Sequence, residues 1–301
     1  MRPAGQPCRG VSLAAIAPRR PGRAPRLTET VLATASVPIP HSIFEVSGDT
    51  VIPTELSRGP WHPGAQHGGA PGGLLASMAD RAMAHEPGWS MVRLTLEFVR
   101  PVPVAPLRAV VEPQPGGSVR RVRLELSHEG VPVVYGTAVY IRERALDLQS
   151  SPQSPSLPPP DACHTPILIP GMEPQTSFHY TAMESRVATG TVTAPGPAAV
   201  WFRLAVPLVA DWPVTAAARA VAAADFGNGI SWAVPLDRFA FANADLTMYL
   251  HRLPRGEWVA AESTTTVQES GIGLARTTLH DEQGVIGVAQ QGLIFKPRDA
   301  R

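Results

Sequence analysis

Polar and hydrophobic residues alternate along two long segments of the chain, and this period of two predicts β-strands. Each segment closes with a hairpin turn, at Glu129-Gly130 in the first and at Gln283-Gly284 in the second, followed by one long apolar strand. The alternation predicts strands at 92–98, 107–112, 121–126 and 131–141 of the first segment, and at 201–209, 246–251, 258–267, 274–280 and 285–295 of the second.

Each segment also contains one stretch with helical spacing. Residues 74–83 follow a glycine-rich stretch at 67–73 and place their apolar side chains on one stripe, and residues 214–224 are mostly alanine. Small alanine side chains let strands approach a helix closely. Antiparallel strands that curl around one apolar helix form the hotdog fold. We therefore expect an α+β protein, a tandem (double) hotdog in which two curled antiparallel sheets each wrap around a central helix.

Local composition divides the chain into four parts. Residues 1–38 are rich in arginine and proline, which favours a disordered tail that can be removed without loss of stability; a transit peptide is the alternative. Residues 146–171 are rich in proline and serine and are expected to be a linker that only tethers its neighbours. The remaining ranges, 39–145 and 172–298, are the predicted N-terminal and C-terminal hotdog domains.

The charge and the cysteine content of the chain argue against several classes of function. The 301 residues include 26 basic and 25 acidic side chains, and a net charge of +1 provides no overall field to recruit nucleic acid or an anionic membrane. The sequence contains no run of 18 apolar residues, which is about the length that a membrane-spanning helix needs. Cys8 and Cys163 are too far apart in sequence to form a CxxC metal site. We expect a cytoplasmic protein with no metal, no cofactor and no nucleic-acid or membrane partner.

Several motifs point to a known family. The chain resembles double-hotdog acyl-CoA thioesterases of the bacterial type II, and more closely the thioesterase-like proteins of actinobacteria. The resemblance covers residues 42–297 and implies a hydrolase that acts on acyl-CoA, needs no cofactor and forms a homo-oligomer. The matching motifs are His67-Gly68-Gly69 and residues 98–101 in the first half, and residues 224–229, 243–252, 256–258 and 271–276 in the second half.

The family holds a nucleophilic water with an Asp, a Thr or Ser, and a Gln. By resemblance these roles fall on Asp225, Asn243 and Gln290, so this chain departs from the family at the hydroxyl position. A carboxylate can orient and deprotonate water, and a side-chain amide can donate to the developing oxyanion. Asn243 can donate and accept hydrogen bonds but cannot relay a hydroxyl proton. Gln290 has a neighbour, Gln291, and successive residues of a strand face opposite sides.

Five further residues are candidates for substrate binding. His67, Gly68 and Gly69 precede a helix and can place backbone N–H groups near a carbonyl oxygen. His251 and Arg252 end a strand and are expected either to support a turn or to contact the phosphates of CoA.

Two other functions are open on the sequence. The first is an acyl-CoA-binding protein with weak catalysis, in which Asn243 marks the loss of activity. The second is an enoyl-CoA hydratase of the same fold, because Asp80 and His85 have the spacing of its catalytic pair. On a helix, however, five residues at about 100° each would turn these two side chains about 140° apart.

Overall fold

The computed structural model of the chain describes residues 39–151, 154–169 and 175–298. The predicted tail at 1–38 and part of the predicted linker therefore lie outside the described residues. The first half contains six strands and one long helix: β1 (Phe44–Ser47), β2 (Thr50–Pro53), α1 (Gly69–Met83), β3 (Trp89–Phe98), β4 (Leu107–Gln114), β5 (Val119–His128) and β6 (Val131–Arg142).

Among the described residues the second half has a similar plan, with one additional short helix and one additional strand. A single π-helical turn at Phe178–Ala182 leads into it. Its elements are β7 (Met183–Gly190), β8 (Ala198–Leu204), α2 (Ala216–Ala224), α3 (Gly227–Ile230), β9 (Phe239–Asn243), β10 (Asp245–Leu250), β11 (Val259–Val267), β12 (Ile272–Asp281) and β13 (Gly284–Pro297).

The strands of both halves form one antiparallel sheet, not two separate sheets. Twelve strands follow the order β1-β2-β4-β5-β6-β3-β10-β13-β12-β11-β8-β7, and β9 pairs with β13 beside this path. The halves join where β3 pairs with β10, with Leu96 opposite Leu246. The predicted pair of sheets is therefore continuous, because pairing these two edges satisfies backbone groups that would otherwise be exposed.

The two long helices pack against each other through small residues. A Cβ atom added to Gly69 of α1 would lie 2.8 Å from the carbonyl oxygen of Ala222 in α2, and one added to Gly72 would lie 2.9 Å from Val221. Glycine in α1 and alanine in α2 therefore allow the backbones to approach closely. Both helices belong to one hydrophobic core that includes residues from both halves of the sheet.

The described part of the linker is packed onto the second half. Trp201 of β8 donates a hydrogen bond from Nε1 to the carbonyl oxygen of Pro158 (2.9 Å), and Arg186 of β7 donates to that of Pro160 (2.9 Å). Cys163 is buried against Trp201. Over residues 158–163 the predicted linker is therefore more than a tether, because the carbonyl oxygens of Pro158 and Pro160 accept hydrogen bonds from side chains of β8 and β7, whereas residues 146–151 are exposed.

Candidate active site

A buried carboxylate lies at the centre of the candidate site. Asp225 caps the C-terminal end of α2 and is 4% exposed. Its Oδ1 accepts hydrogen bonds from Nδ2 of Asn243 (3.0 Å) and Nε2 of Gln291 (3.1 Å), and its Oδ2 lies 2.9 Å from Nδ1 of His67. Three side chains that are far apart in sequence thus converge on one carboxylate.

The strands of the second half explain how Asn243 reaches this point. Asn243 ends β9 and is paired with Leu293 of β13. Residues two apart on a strand share a face, so Gln291 lies on the same side of β13 as Leu293. This pairing brings the side-chain amide of Asn243 within hydrogen-bond distance of Asp225.

The glutamine of the site is Gln291 and not Gln290. Gln291 is 1% exposed; in addition to its bond to Oδ1, its Nε2 donates to the backbone carbonyl of Asp225 (3.3 Å) and its Oε1 accepts from the backbone N–H of Asn228 (3.1 Å). Gln290 is exposed and faces away from the helices, level with Arg276 of β12. The expectation that Gln290 joins the site is wrong, because the alternation of β13 turns the odd-numbered side chains inward.

The first half of the chain contributes the start of α1. Gly68 is its N-cap, and a Cβ atom there would lie 2.9 Å from Oδ2 of Asp225. Glycine is therefore required for the carboxylate to sit against the helix. The N-terminal end of a helix carries a partial positive charge that stabilises an anion. The stretch His67-Gly68-Gly69 thus lies beside Asp225 at the start of α1.

The His67 ring is held between aromatic side chains. Its centroid is 4.4 Å from that of Phe226 and 5.1 Å from that of Phe178. The Nδ1 atom also lies 3.1 Å from the backbone nitrogen of Gly69. One nitrogen cannot donate to the carboxylate and accept from Gly69 together, and the Asp225 carboxylate favours the tautomer with a proton on Nδ1.

Arg252 has a structural partner. Its guanidinium forms two hydrogen bonds with Asp281, one of them 2.6 Å from Nη2 to Oδ1, and a third with the carbonyl of Gly284. Burial alone would raise the pKa of Asp281, but Arg252 and the N–H groups of the adjoining turns hold it below its ordinary value. Of the two roles expected for this side chain, the structure therefore supports the turn and not the contact with CoA phosphates.

His251 is exposed and lies away from Asp225. It lines an open groove with Tyr249 and Arg93, and this groove shares no residue with the pocket beside Asp225. The structure therefore does not bring His251 together with the other candidate residues.

The hydratase pair does not form. Asp80 lies in α1 and accepts a hydrogen bond from the hydroxyl of Tyr140 (2.7 Å), and burial raises the pKa of Asp80. His85 is exposed beyond the end of α1. The two side chains therefore have different surroundings.

An apolar pocket adjoins the carboxylate network. Its wall includes His67, which pairs with Asp225, Phe226, which follows Asp225 in sequence, and Asn228, whose backbone N–H donates to Gln291. The rest of the wall is mainly hydrophobic and includes Trp61, Ile167, Ile230, Trp232 and Leu236, and also His179. Pockets of this character are typical of sites for small organic groups.

Neither a metal-binding cluster nor a membrane-spanning helix occurs in the part of the chain that the structure describes. No group of three or more His, Cys, Asp or Glu side chains there could hold a metal ion. Among the same residues, every helix is too short or too polar to traverse a bilayer.

Solved structures share this fold over most of the chain. A thioesterase from Novosphingobium aromaticivorans has a TM-score of 0.65 at 20% identity, covering 84% of this chain and 98% of that one. The acyl-CoA thioesterase II of Mycobacterium marinum has a TM-score of 0.60 at 17% identity, with 85% and 95% covered. A hot dog fold protein from Alicyclobacillus acidocaldarius has a TM-score of 0.62 at 18% identity, with 84% and 95% covered. At such identities the likeness establishes the hotdog fold alone.

The family follows from sequence comparison. The model of the acyl-CoA thioesterase N-terminal domain matches residues 57–141, and that of the C-terminal domain matches residues 152–295. No curated protein matches the chain. The two models adjoin in the order of the domains and together match most of the chain, so the resemblance expected from the motifs is confirmed. The chain belongs to the acyl-CoA thioesterase family of thioester hydrolases.

Proposed function

We propose that the chain is a tandem hotdog that hydrolyses acyl-CoA through a water activated by Asp225. The observation that carries this proposal is the buried carboxylate, which receives hydrogen bonds from Asn243 and Gln291 and pairs with His67, a residue of the apolar pocket wall. Each half is one hotdog, and the site lies between the two.

The hydrogen bonds at Asp225 leave one position free for water. A carboxylate has about four lone pairs on two oxygens. Oδ1 already accepts two donors and Oδ2 accepts one, from His67. The remaining lone pair of Oδ2 can accept a hydrogen bond from a water and later its proton.

The reaction then needs no protein nucleophile. The water oxygen adds to the thioester carbonyl carbon while its proton passes to Asp225. The backbone N–H groups and partial positive charge at the start of α1 stabilise the negative charge on the carbonyl oxygen. When the carbon–sulfur bond breaks, the CoA thiolate takes up the proton and the acid is released.

Asn243 acts in this scheme as a positioning residue. Its Nδ2 group donates to the carboxylate and to the backbone carbonyl of Asp245 (3.4 Å). The bond to Asp245 holds the Asn243 amide in place, and the bond to Asp225 orients the carboxylate that acts as the base. The hydroxyl of a Thr or Ser is therefore not required to relay a proton.

The Asp225→Asn variant tests the proposal. It keeps the size of the side chain but removes the base, so we expect kcat for release of CoA thiol from acyl-CoA to fall by about 10²–10⁴-fold. Asp237→Asn is the matched control, since Asp237 is exposed and outside the network. Binding of acyl-CoA by the Asp225→Asn protein should persist. Activity close to that of the control would contradict the mechanism, and wild-type protein that binds but does not hydrolyse would support the binding-protein alternative.

We also propose that the chain forms a homo-oligomer through the outer face of the sheet. Large apolar side chains are exposed there, including Ile141, Tyr249 and Val288, each at least 43% exposed. Contiguous exposed apolar surface marks interaction sites. Light scattering of the wild type and of Tyr249→Glu should give different masses.

A further inference from the structure

One histidine of the pocket has no hydrogen-bond partner. His179 lies in the π-helical turn at Phe178–Ala182, is 2% exposed and contributes to the pocket wall. Among the residues that the structure describes, neither Nδ1 nor Nε2 of this ring has a partner. Buried polar groups in proteins are nearly always paired, and π-helical turns occur often at functional sites.

The position of His179 relates it to the proposed reaction. Its ring centroid is 6.5 Å from that of His67, which pairs with Asp225. His179 therefore lies one ring farther from the carboxylate, along the wall of the pocket. A substrate whose carbonyl is at Asp225 would bring the first carbons of its acyl part toward this ring.

The character of the pocket limits the acyl group. The cavity volume is only about 40 Å³, which suits a short acyl part better than a long one. Burial, and then the neighbouring His67, lower the pKa of His179 to about 3. At neutral pH the ring is uncharged and offers one N–H donor and one acceptor. It therefore suits a neutral oxygen group better than a carboxylate or a phosphate.

We infer that His179 binds a hydroxyl or keto oxygen close to the thioester, so that the pocket selects short oxygen-bearing acyl groups over plain ones. This inference deepens the proposed function and rests on it. A plain acyl chain would leave both ring nitrogens unpaired and buried, whereas an oxygen substituent would pair with one of them. We therefore expect the preference for oxygen-bearing over plain acyl groups to come from the free-energy cost of leaving the His179 ring nitrogens buried without hydrogen-bond partners.

The test compares three thioesters that differ only at the third carbon: butanoyl-CoA, 3-hydroxybutanoyl-CoA and 3-oxobutanoyl-CoA. With the wild-type full chain we expect kcat/KM to be about tenfold higher for at least one of the two oxygen-bearing substrates, equivalent to one hydrogen bond. The hydroxyl and keto arms show which oxygen group the ring prefers.

Variants assign the preference to His179. His179→Phe keeps a ring but no polar atom, so the ratio should fall close to one, mainly through the oxygen-bearing substrates, while His179→Gln should restore part of it. His280→Phe is the matched control, since His280 is also 2% exposed but lies in β12 outside this pocket. A wild-type ratio near one for both oxygen-bearing substrates overturns the inference whether or not the variants fold, and so does an unchanged ratio in His179→Phe.

Binding separates this inference from the proposed function. Calorimetric Kd values for the same three thioesters are measured on Asp225→Asn, with and without His179→Phe. A preference of about tenfold that His179→Phe removes supports the pocket assignment even if hydrolysis fails. Equal Kd values for all three thioesters refute it even if the wild type is an active thioesterase.

Discussion

Replacing Gln291 with methionine tests whether Gln291, and not Gln290, belongs to the site at Asp225. The same replacement at Gln290 is the control, because Gln290 is the adjacent residue and lies on the opposite face of β13. Methionine is close to glutamine in length but offers neither the amide donor nor the carbonyl acceptor. At position 291 the change removes the bonds to Oδ1 and the carbonyl of Asp225 and to the N–H of Asn228. At position 290 it alters an exposed side chain.

The magnitude follows from the groups left without partners. Gln291→Met leaves the backbone N–H of Asn228 and the carbonyl of Asp225 buried without the hydrogen bonds that Gln291 provides. Each unsatisfied group costs about 1–3 kcal/mol of folding stability. Allowing for relaxation, we expect a loss of about 2–4 kcal/mol in the free energy of unfolding. In a domain of this size that lowers Tm by about 2–4 °C for each kcal/mol. Loss of the donor that orients the base should lower kcat by about 10²-fold.

The assay has a stability arm and an activity arm. Thermal unfolding gives Tm for the wild type and for both variants, and thiol release from acyl-CoA gives kcat well below each Tm. Gln290→Met should stay within about 0.5 kcal/mol of the wild type, as expected for a surface substitution, and should retain full activity. If Gln290→Met proved the more damaging variant in either arm, the assignment of the inward face of β13 would be refuted.

Three further predictions test other parts of the structure. Gly68→Ala places a Cβ 2.9 Å from the Asp225 carboxylate and, on the proposed mechanism, should abolish thiol release, whereas the nearest contact of Gly73→Ala is the flexible tip of a leucine, at 3.2 Å, and this variant should remain active. Arg252→Met should cost about 3 kcal/mol at neutral pH by leaving the buried Asp281 carboxylate without a positively charged partner. Because the folded-state pKa of Asp281 is lowered, the wild type's advantage in urea unfolding should shrink as pH falls below about 4. The C-terminal half expressed alone should aggregate, since it lacks the strand that pairs with β10, and a monomeric, fully active fragment on gel filtration would contradict this.

Alternation and helical spacing were sufficient to predict most of the elements, because both are local properties of the chain. They did not decide which face of β13 is inward. Ala289 and Leu293 are buried on one face, but Val288 and Ile294 are exposed apolar residues on the other. A strand with apolar residues on both faces has no register preference that the pattern can detect. The choice between Gln290 and Gln291 therefore required the packing of β13 beneath α3.

The roles of Arg252 and His179 depend on contacts that the sequence does not indicate. Arg252 binds a carboxylate 29 positions away, and nothing in the spacing of the two residues distinguishes this pair from a contact with CoA. The π-helical turn that carries His179 has no periodic signal, since it is a single turn of five residues. Local sequence patterns therefore predict the strand or helix that carries a polar side chain, but they do not predict which residue that side chain contacts.

The site depends on both halves of the chain, which explains why the two halves must pack together. The carboxylate and its amide partners come from the second half, whereas His67 and the start of α1 come from the first. Pairing of β3 with β10 makes the sheet continuous, and the close packing of α1 on α2 brings the N-terminal end of one helix to the C-terminal end of the other. The partial positive charge at that N-terminal end offsets the cost of burying Asp225. A single half would therefore leave Asp225 without His67 and without the helix end that stabilises its charge.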